Sequence, residues 1–385
     1  MIRVIDRSMV VGVYTEMKKI LVLGTGMPQA DLIKACKARG MEVFACSYTS
    51  GDVAEPFADH FKQINIVDID AIEAYARENQ VDYIYSAGSD VAMPTVLTVS
   101  ERMGLRHFCP SQTATICNNK PLLRNTLTQD FEGNIKSQRM TSADEELKVG
   151  FPLMMKPTDS QGQRGVYRVD SIEEFRGNFE KSMAFSREGA VIVEEFIEGE
   201  EISVNTFCSG GKMIFALPSK RIVWEDLPGG IIHRHVIPFQ YADDPDVCAK
   251  VDSLVRRTLK KLNINDGPAY FQIIVTKDGT PKLVEVTPRL DGCHMWRLIR
   301  YSTGVDLLDL TVRLLLGEEV GIGEYEVKPY ETEFLCLPTA EVFNKNRFEI
   351  GDPEFLQWYY EDGGIVKKMN GYMEKCGYLI KPYQA

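Results

Sequence analysis

The chain has 385 residues, of which 26% are charged, and its formal net charge at pH 7 is −11. A chain of this length is expected to form two or three domains with a well-buried core. Its acidic balance, without a compensating basic block, argues against nucleic-acid binding, and the lack of a long apolar run argues against a transmembrane helix. We therefore expect a cytoplasmic globular protein with no nucleic-acid or membrane partner.

Residues 1–16 are expected to be an N-terminal extension. They lack the apolar core and the small-residue cleavage site of a secretory signal. Met17 stands just before the first predicted strand and resembles an alternative start. The nine cysteines include no C-x-x-C pair, which favours free thiols in a reducing compartment.

Strands and helices alternate in the region 17–115. Strands are predicted at 19–24, 42–46 and 81–85, and helices at 30–39 and 69–79. This alternation predicts a parallel, doubly wound sheet of the α/β class. Gly24 and Gly26 follow the first strand, but the third glycine of a dinucleotide fingerprint falls at Gln29, so a nicotinamide or flavin site is not predicted. Asp90 is expected to cap a helix, with a substrate contact as the alternative.

The next region contains a strand, a glycine-containing loop and a second strand. The first strand spans 151–157 and carries Lys156 near its end, and the loop spans 158–165. Backbone N–H groups of such a loop can bind phosphates, and the strand lysine would add a positive charge. A flexible hairpin with an edge lysine is the alternative interpretation.

Several polar side chains further along the chain are candidates for ligand contacts. The spacing of Glu194 and Glu201 suits an adenine edge and a ribose hydroxyl, with an acidic surface turn as the alternative. Lys220 ends an apolar run, where it either meets a phosphate or is a solvated strand end. His233 and His235 suggest zinc, but no third nitrogen or sulfur ligand lies nearby in the sequence, so a zinc site is not predicted.

Two apolar runs are joined by the turn signal Thr276-Lys277-Asp278-Gly279-Thr280, which predicts a β-hairpin. Hairpin pairing would place Gln272, Glu285 and Thr287 on one face, with Arg289 beside them. Mg²⁺ prefers hard oxygen ligands of this kind and shares its shell with substrate phosphates, and arginine suits phosphate oxygens. The hairpin is therefore predicted to be the metal and phosphate end of a nucleotide site.

Taken in chain order, these elements resemble the ATP-grasp superfamily. A doubly wound domain precedes a lysine before a helix, a strand lysine with its loop, a Glu-rich connector, a late lysine and the Gln/Glu/Thr-Pro-Arg hairpin. The resemblance covers residues 18–320 and is nearest to the carbamoyl-phosphate-synthase-like and carboxylate–amine ligase branches. It implies a Rossmann-like N-terminal domain followed by a two-lobed α+β ATP-grasp module. The implied ranges are 17–115 for the N-terminal domain, 116–190 for the small lobe or lid, 191–325 for the large lobe, and 326–385 for a C-terminal segment packed on the large lobe.

The resemblance implies a set of ATP contacts. Lys120 corresponds to the first phosphate-binding cation, and Lys156 to the strand lysine on the α- and β-phosphates. Glu194 would accept from the adenine amino group, Glu201 would hold the ribose, and Lys220 would lie near the adenine and the α-phosphate. The other implied contacts come from the loop over the γ-phosphate and from the backbone around the adenine ring: Ser160, Gln161, Gly162, Gly165, Phe196 and Ile197.

The resemblance also implies two Mg²⁺ ions, with Mn²⁺ as an alternative. Glu285 would bridge the ions, Gln272 and Thr287 would be further ligands, and Arg289 would steady the transferred phosphoryl group. Lys156 and Arg289 are the implied catalytic residues. The family usually has Asn at the position of Thr287. A hydroxyl is a weaker, single-oxygen ligand, so we expect the second ion to be held more loosely.

The implied activity is an ATP-dependent ligase that activates a carboxylate as an acyl-phosphate, forms ADP and joins the carboxylate to an amine. The alternatives are carbamoyl-phosphate-type or carboxylation chemistry, a small-molecule kinase, and a non-catalytic ATP-binding regulator. The expected partners are a small-molecule carboxylate and an amine, and the resemblance also allows a homodimer.

Overall fold

The computed structural model describes residues 17–159, 164–224, 231–368 and 373–384. The strands in these ranges form three separate sheets. None of the helices in these ranges combines the length and the apolar character that a bilayer crossing needs. All nine cysteines are free thiols, as predicted, and eight of them are buried.

The first sheet is parallel and has the strand order β3-β2-β1-β4. The strand β1 is apolar and almost fully buried, because helices and other segments cover both faces of a parallel sheet. Only β3 was not predicted, since its polar residues are exposed at the sheet edge. The elements are β1 (Lys19–Leu23), α1 (Met27–Ala38), β2 (Glu42–Ser47), β3 (His60–Gln63), α2 (Ile69–Glu78), β4 (Tyr83–Tyr85), α3 (Met93–Met103) and α4 (Ser111–Asn118). The predicted α/β, Rossmann-like class of the N-terminal region is confirmed.

The second sheet is antiparallel, with the order β5-β8-β6-β7. Phe175 and Phe179 of a covering helix pack on Met155 and Val193 of the sheet and close a small apolar core. The elements are α5 (Lys120–Leu127), β5 (Ser137–Met140), β6 (Leu153–Pro157), β7 (Tyr167–Val169), α6 (Ile172–Met183) and β8 (Val191–Glu195).

The third sheet has eight strands in the order β13-β12-β9-β10-β11-β14-β16-β15. The C-terminal strands belong to the same sheet as the hairpin β12–β13. The elements are β9 (Gly199–Ser209), β10 (Lys212–Val223), β11 (Ile232–Ile237), α7 (Pro245–Lys261), β12 (Gly267–Thr276), β13 (Pro281–Thr287), α8 (Met295–Thr303), α9 (Leu307–Leu315), β14 (Tyr330–Pro338), β15 (Phe355–Trp358) and β16 (Met373–Pro382).

The two faces of the eight-stranded sheet differ in chemistry. One face packs Ile202, Phe271 and Leu283 against α7. Side chains alternate between the faces of a strand, so the residues between these apolar positions lie on the opposite face. That face carries a polar band from the β12–β13 hairpin to β11. Its members are Glu285, Thr287, Gln272, Ser203, Glu201, Arg221 and His235.

Candidate active site

The β12–β13 hairpin forms as predicted and brings the three proposed metal ligands together. Gln272 pairs with Glu285, and Tyr270 pairs with Thr287, so the three ligand side chains share one face. The amide nitrogen of Gln272 donates to Glu201 at 3.0 Å, which leaves its amide oxygen available to a metal. The structure thus supplies one carboxylate, one amide and one hydroxyl oxygen side by side.

Thr287 is the least satisfied of these ligands. Its side chain is buried, and its Oγ1 has no hydrogen-bond partner among the described residues. It lines a small cavity of about 10 Å³ together with Asp90 and Asn118, enough for roughly one water-sized group. A buried hydroxyl without a partner is costly, and a bound cation would satisfy it.

Electrostatics at Glu285 also fit a cation. Burial raises the pKa of Glu285, and the nearby carboxylate of Asp90 raises it further, while Lys120, Arg289 and Arg221 act in the opposite direction. A divalent cation between these oxygens would favour the ionised form of Glu285. The oxygen-only ligand set suits Mg²⁺.

Lys156 and Glu194 form a buried ion pair. Lys156 Nζ donates to Glu194 Oε2 at 2.5 Å, and Arg124 Nε donates to Glu194 Oε1 at 2.7 Å. Burial raises the pKa of Glu194, but Arg124 and Lys156 together hold it at about 2. Glu194 is 1% exposed and both of its oxygens are engaged. In this structure the Glu194 carboxylate is the counterion of the two cations, and its contact with adenine stays a prediction.

Arg124 is a site residue that the sequence reasoning missed. Its Nη1 and Nη2 donate to the carbonyls of Leu283 and Val284, both at 2.8 Å. The side chain thereby links α5 and the strand β8 to the β12–β13 hairpin, which we call the metal hairpin because it carries the predicted metal ligands. The spacing in the sequence could have indicated Arg124. It stands four residues after Lys120, and residues four apart share a helix face, so the helix that presents Lys120 to the site also presents Arg124.

Lys120 begins α5, with the side chain of Asn119 capping the helix. Burial lowers the pKa of Lys120, whereas Glu285 and Glu194 raise it and Lys156 lowers it further. These interactions show that Lys120 lies near both Glu285 and the Lys156–Glu194 pair. The two predicted phosphate-binding lysines are therefore close together, next to the predicted metal ligands.

Arg289 is held by the N-terminal domain. Its Nε and Nη2 donate to the two carboxylate oxygens of Asp90 at 2.7 and 2.8 Å. The helix α3 begins at Met93 and has Ala92 as its N-cap, so the predicted capping role of Asp90 is wrong.

Gly88 packs on the chain just beyond Arg289. It has a φ of +68°, and a Cβ there would lie 2.8 Å from Gly292 Cα.

Lys220 does not lie on the same face of the sheet as Gln272, Glu285 and Thr287. It pairs across the sheet with Ile202, which belongs to the core beneath α7, so it lies on the apolar face. Arg221, the next residue, lies on the polar face, pairs with His235 in the ladder and forms an ion pair with Glu201. Lys220 and Arg221 thus lie on opposite faces, because a shift of one residue reverses the face. A contact of Lys220 with ATP stays a prediction.

The connector between the second and third sheets carries the proposed backbone contacts to adenine. Phe196 and Ile197 are half-buried between β8 and β9, and Phe196 N donates to the Pro152 carbonyl at 3.2 Å. Their contacts with adenine stay predictions, as does a ribose contact for Glu201.

The predicted phosphate loop is described only in part. Ser160, Gln161 and Gly162 lie outside the described residues. Gly165 ends the loop with a φ of +71°, and its carbonyl accepts from Ser182 at 2.7 Å. A Cβ at Gly165 would lie 2.8 Å from the ring of Phe185, which explains the glycine. A phosphate contact at Gly165 stays a prediction.

Comparison with known proteins agrees with this geometry. Residues 149–296 match the family model described as an ATP-grasp domain. The formate-dependent phosphoribosylglycinamide formyltransferase of Bacteroides thetaiotaomicron is 25% identical over 211 residues, 52% of this chain and 54% of that protein. The chain thus spans about half the length of this relative. The formyltransferase of the same description from Prochlorococcus marinus is 26% identical over 359 residues, 89% of this chain and 84% of that protein.

Solved structures show the same fold over nearly the whole chain. The L-amino acid ligase of Bacillus licheniformis has a TM-score of 0.80 at 19% identity, covering 96% of this chain and 94% of that one. The phosphoribosylglycinamide synthetase of Anaerococcus prevotii has a TM-score of 0.75 at 20% identity, covering 95% and 94%. Residues 149–296, which carry Lys156 and the β12–β13 hairpin, thus match the ATP-grasp domain family, and the chain as a whole is similar to the proteins named above.

Proposed function

We propose that this protein is an ATP-dependent ligase that phosphorylates a carboxylate, releases ADP and joins the activated carboxylate to an amine. One observation supports this most directly. Lys120 lies beside the metal hairpin and beside Lys156, and Arg289 lies at the end of the hairpin. Cations next to hard oxygen ligands suit a metal-bound polyphosphate. The relatives named above as formyltransferase, synthetase and amino acid ligase agree with this class of reaction.

The protein's own contribution to the first step is positioning and charge neutralisation. Lys120 and Lys156 would bind the phosphates, with Glu194 fixing the ammonium group of Lys156. Arg289, held by Asp90 at two points, would face the transferred phosphoryl group. Bound Mg²⁺ would neutralise the phosphate charge. Its ligands would be Glu285, Gln272 and Thr287.

The metal count belongs to this proposal as well. Two Mg²⁺ ions are proposed, with Mn²⁺ as a substitute. Thr287 offers a single hydroxyl oxygen, so the second ion is expected to bind more weakly than the first. A titration of ADP release against Mg²⁺ concentration would then show two phases. A single phase would contradict the two-ion assignment.

Phosphorylation converts a poor electrophile into a reactive one. The carboxylate oxygen takes the γ-phosphoryl group and ADP departs. The amine nitrogen then forms a bond to the carboxyl carbon, and the carbon–oxygen bond to phosphate breaks. The products are an amide, ADP and inorganic phosphate.

Product analysis tests the proposal. The purified protein would be incubated with Mg-ATP and pools of carboxylates and amines, with ADP release followed and product masses determined. An amide formed together with ADP supports a ligase, whereas a stable phosphorylated product supports a kinase. AMP in place of ADP would rule out the acyl-phosphate route, and unchanged ATP despite ATP binding would support a regulator.

Variants add a control for the metal assignment. Glu285→Ala should abolish turnover, and Glu180→Ala, an exposed glutamate on α6, should not change it. Full activity in the first variant would overturn the metal assignment. Light scattering would test the homodimer that the resemblance allows.

A further inference from the structure

A second polar cluster lies on the same face of the large sheet. It consists of His235 on β11, Asp291 and Cys293 after β13, and Lys375 on β16, and we call it the His235 corner. The side-chain ligand atoms of His235, Asp291 and Cys293 all lie within 4.8 Å of one another. Lys375 Nζ lies 3.4 Å from Cys293 Sγ.

The corner contains buried polar atoms that the described residues do not satisfy. His235 is 0% exposed, and neither of its ring nitrogens has a hydrogen-bond partner there. Asp291 is 5% exposed, and its Oδ2 also has no partner, while its Oδ1 accepts from Cys293 N. A buried polar atom without a partner destabilises the fold. Three such atoms in one place point to a polar ligand.

The charges of the corner indicate what this ligand carries. Among the described residues, no ion pair includes either Lys375 or Asp291. Their charged atoms are at most about 8 Å apart, because Cys293 Sγ lies 3.4 Å from one and within 4.8 Å of the other. An α-amino acid with a hydrogen bond of about 2.8 Å at each end spans a length close to this upper limit.

His, Asp and Cys side chains are common metal ligands, but the charges around the His235 corner disfavour a metal ion. Two cations, Arg221 and Lys375, act on His235, and both would repel a dication. Burial raises the pKa of the Cys293 thiol, so this group is neutral in the absence of a metal. Lys375 contacts Cys293 Sγ and the ring of Phe334, and Asp291 accepts from Cys293 N, but neither charge has an opposite charge in an ion pair among the described residues. One positive and one negative group of this kind match a molecule that carries both charges.

We infer that the His235 corner binds the amine substrate, and that this substrate is a small amino acid whose carboxylate pairs with Lys375 and whose amino group faces Asp291. This inference rests on the ligase function proposed above. Asp291 is two residues from Arg289 and interacts electrostatically with it, so the amino group points toward the phosphoryl end. Lys375 lies on β16, five strands beyond β12 in the sheet. The acceptor's own carboxylate is thereby kept away from the metal.

The same placement accounts for the protons of amide formation. One proton of the bound ammonium group passes to Asp291, which gives a neutral amine. The amine nitrogen attacks the carboxyl carbon of the acyl-phosphate, the carbon–oxygen bond breaks, and phosphate leaves with the electron pair. A second nitrogen proton passes to the released phosphate. An unpaired ring nitrogen of His235 is available to hydrogen-bond the acceptor.

The test compares each standard amino acid with the amine that lacks its carboxylate, using ADP release as the readout. The corner predicts that at least one amino acid supports turnover and that its decarboxylated amine does so at least roughly tenfold less well, as expected for loss of a charge-assisted hydrogen bond. Equal use of both compounds would overturn the inference while leaving the ligase function intact. No ADP-forming ligation with any pair would count against the proposed function itself.

Binding provides a readout that does not depend on turnover. With Mg²⁺ and a non-hydrolysable ATP analogue present, the effective amino acid should raise the melting temperature of the wild-type protein. Lys375→Met should abolish this rise and leave the ATP-induced rise unchanged. If no standard amino acid raises the melting temperature, the inference fails even without an assay of activity.

Further variants separate binding from structure. Lys375→Met should increase KM for the amino acid roughly tenfold with KM for ATP unchanged, and Lys375→Arg should restore part of the loss. Lys260→Met, the same change at an exposed position on α7, is the control. Asp291→Asn should lower kcat and alter its pH profile. Stoichiometric zinc in the purified protein, or an unchanged KM in Lys375→Met, would overturn the inference.

Discussion

Arg289 donates two hydrogen bonds to Asp90, a residue 199 positions away in the sequence, at 2.7 and 2.8 Å. The contact joins the parallel sheet of the N-terminal domain to the end of the metal hairpin. Because the pair is bidentate, it fixes the plane of the guanidinium group as well as its position. The orientation of a proposed catalytic arginine just after β13 is therefore set by a residue in the connection between β4 and α3.

Asp90→Asn should lower kcat by roughly tenfold to a hundredfold, because Arg289 would lose a charged partner and its fixed orientation. Removing one partner of a buried pair also costs about 3 kcal/mol or more of stability, so the melting temperature should fall. Steady-state kinetics and thermal unfolding provide the two measurements. Exposed Asp252→Asn on α7 is the matched control. An unchanged kcat in Asp90→Asn would show that this pair does not position Arg289.

Glu194→Gln should weaken ATP binding, because Lys156 and Arg124 would lose their shared counterion. The pKa of Glu194 is lowered to about 2 in the folded state, below its ordinary value of 4.5. Its stabilising effect is therefore full above pH 4.5 and is lost as the pH falls toward 2. The difference in unfolding free energy between wild type and variant should narrow over that range. Denaturant unfolding at several pH values measures it, and a constant difference would contradict the prediction.

Glu285→Gln should have the opposite pH dependence. The pKa of Glu285 is raised by burial and by Asp90 above its ordinary value of 4.5, so in metal-free protein its ionisation destabilises the fold as the pH rises. Relative to the variant, the wild type should lose stability from about pH 4.5 upward. Mg²⁺ should restore stability to the wild type only. Thermal unfolding at several pH values, with and without Mg²⁺, tests the pH dependence and the effect of the metal. Equal stabilisation of the wild type and the variant by Mg²⁺ would place the metal elsewhere.

Arg221→Met and Lys220→Met form a matched pair of variants. They test which of these two residues lies on the face of the large sheet that carries the predicted metal ligands. Arg221 lies on the polar face and pairs with Glu201, whereas Lys220 lies on the face of the α7 core. The first substitution should reduce kcat/KM roughly tenfold or more, and the second should change it less than about twofold. Comparable losses in both variants would contradict the placement.

Some site features followed from local patterns alone. The hairpin was predictable because Asp278-Gly279 is a strong turn signal and the flanking runs are apolar. Once it forms, the alternation of side chains determines that Gln272, Glu285 and Thr287 share a face. The lysine on β6 was predictable for a similar reason, since a cation in an apolar strand beside a glycine-containing loop is unusual.

Other features required contacts that no local pattern encodes. Glu194 was predictable as a polar site residue, but its counterions come from β6 and α5. His235 had no third ligand nearby in the sequence, yet folding brings Asp291 and Cys293 within 4.8 Å of it. The choice between Lys220 and Arg221 depends on the register of β10 with its neighbours.

The sequence by itself determined the order of the ATP-grasp elements, the hairpin with its oxygen ligands and the basic character of the phosphate end. Turn signals, apolar periodicity and residue chemistry act over a few positions, so they can be seen without a fold. Only the tertiary structure decided which charges are paired, which of two adjacent cations faces the site and how Arg289 is oriented. Those outcomes depend on strand register and on contacts between distant segments, where a shift of one residue moves a side chain to the other face of the sheet.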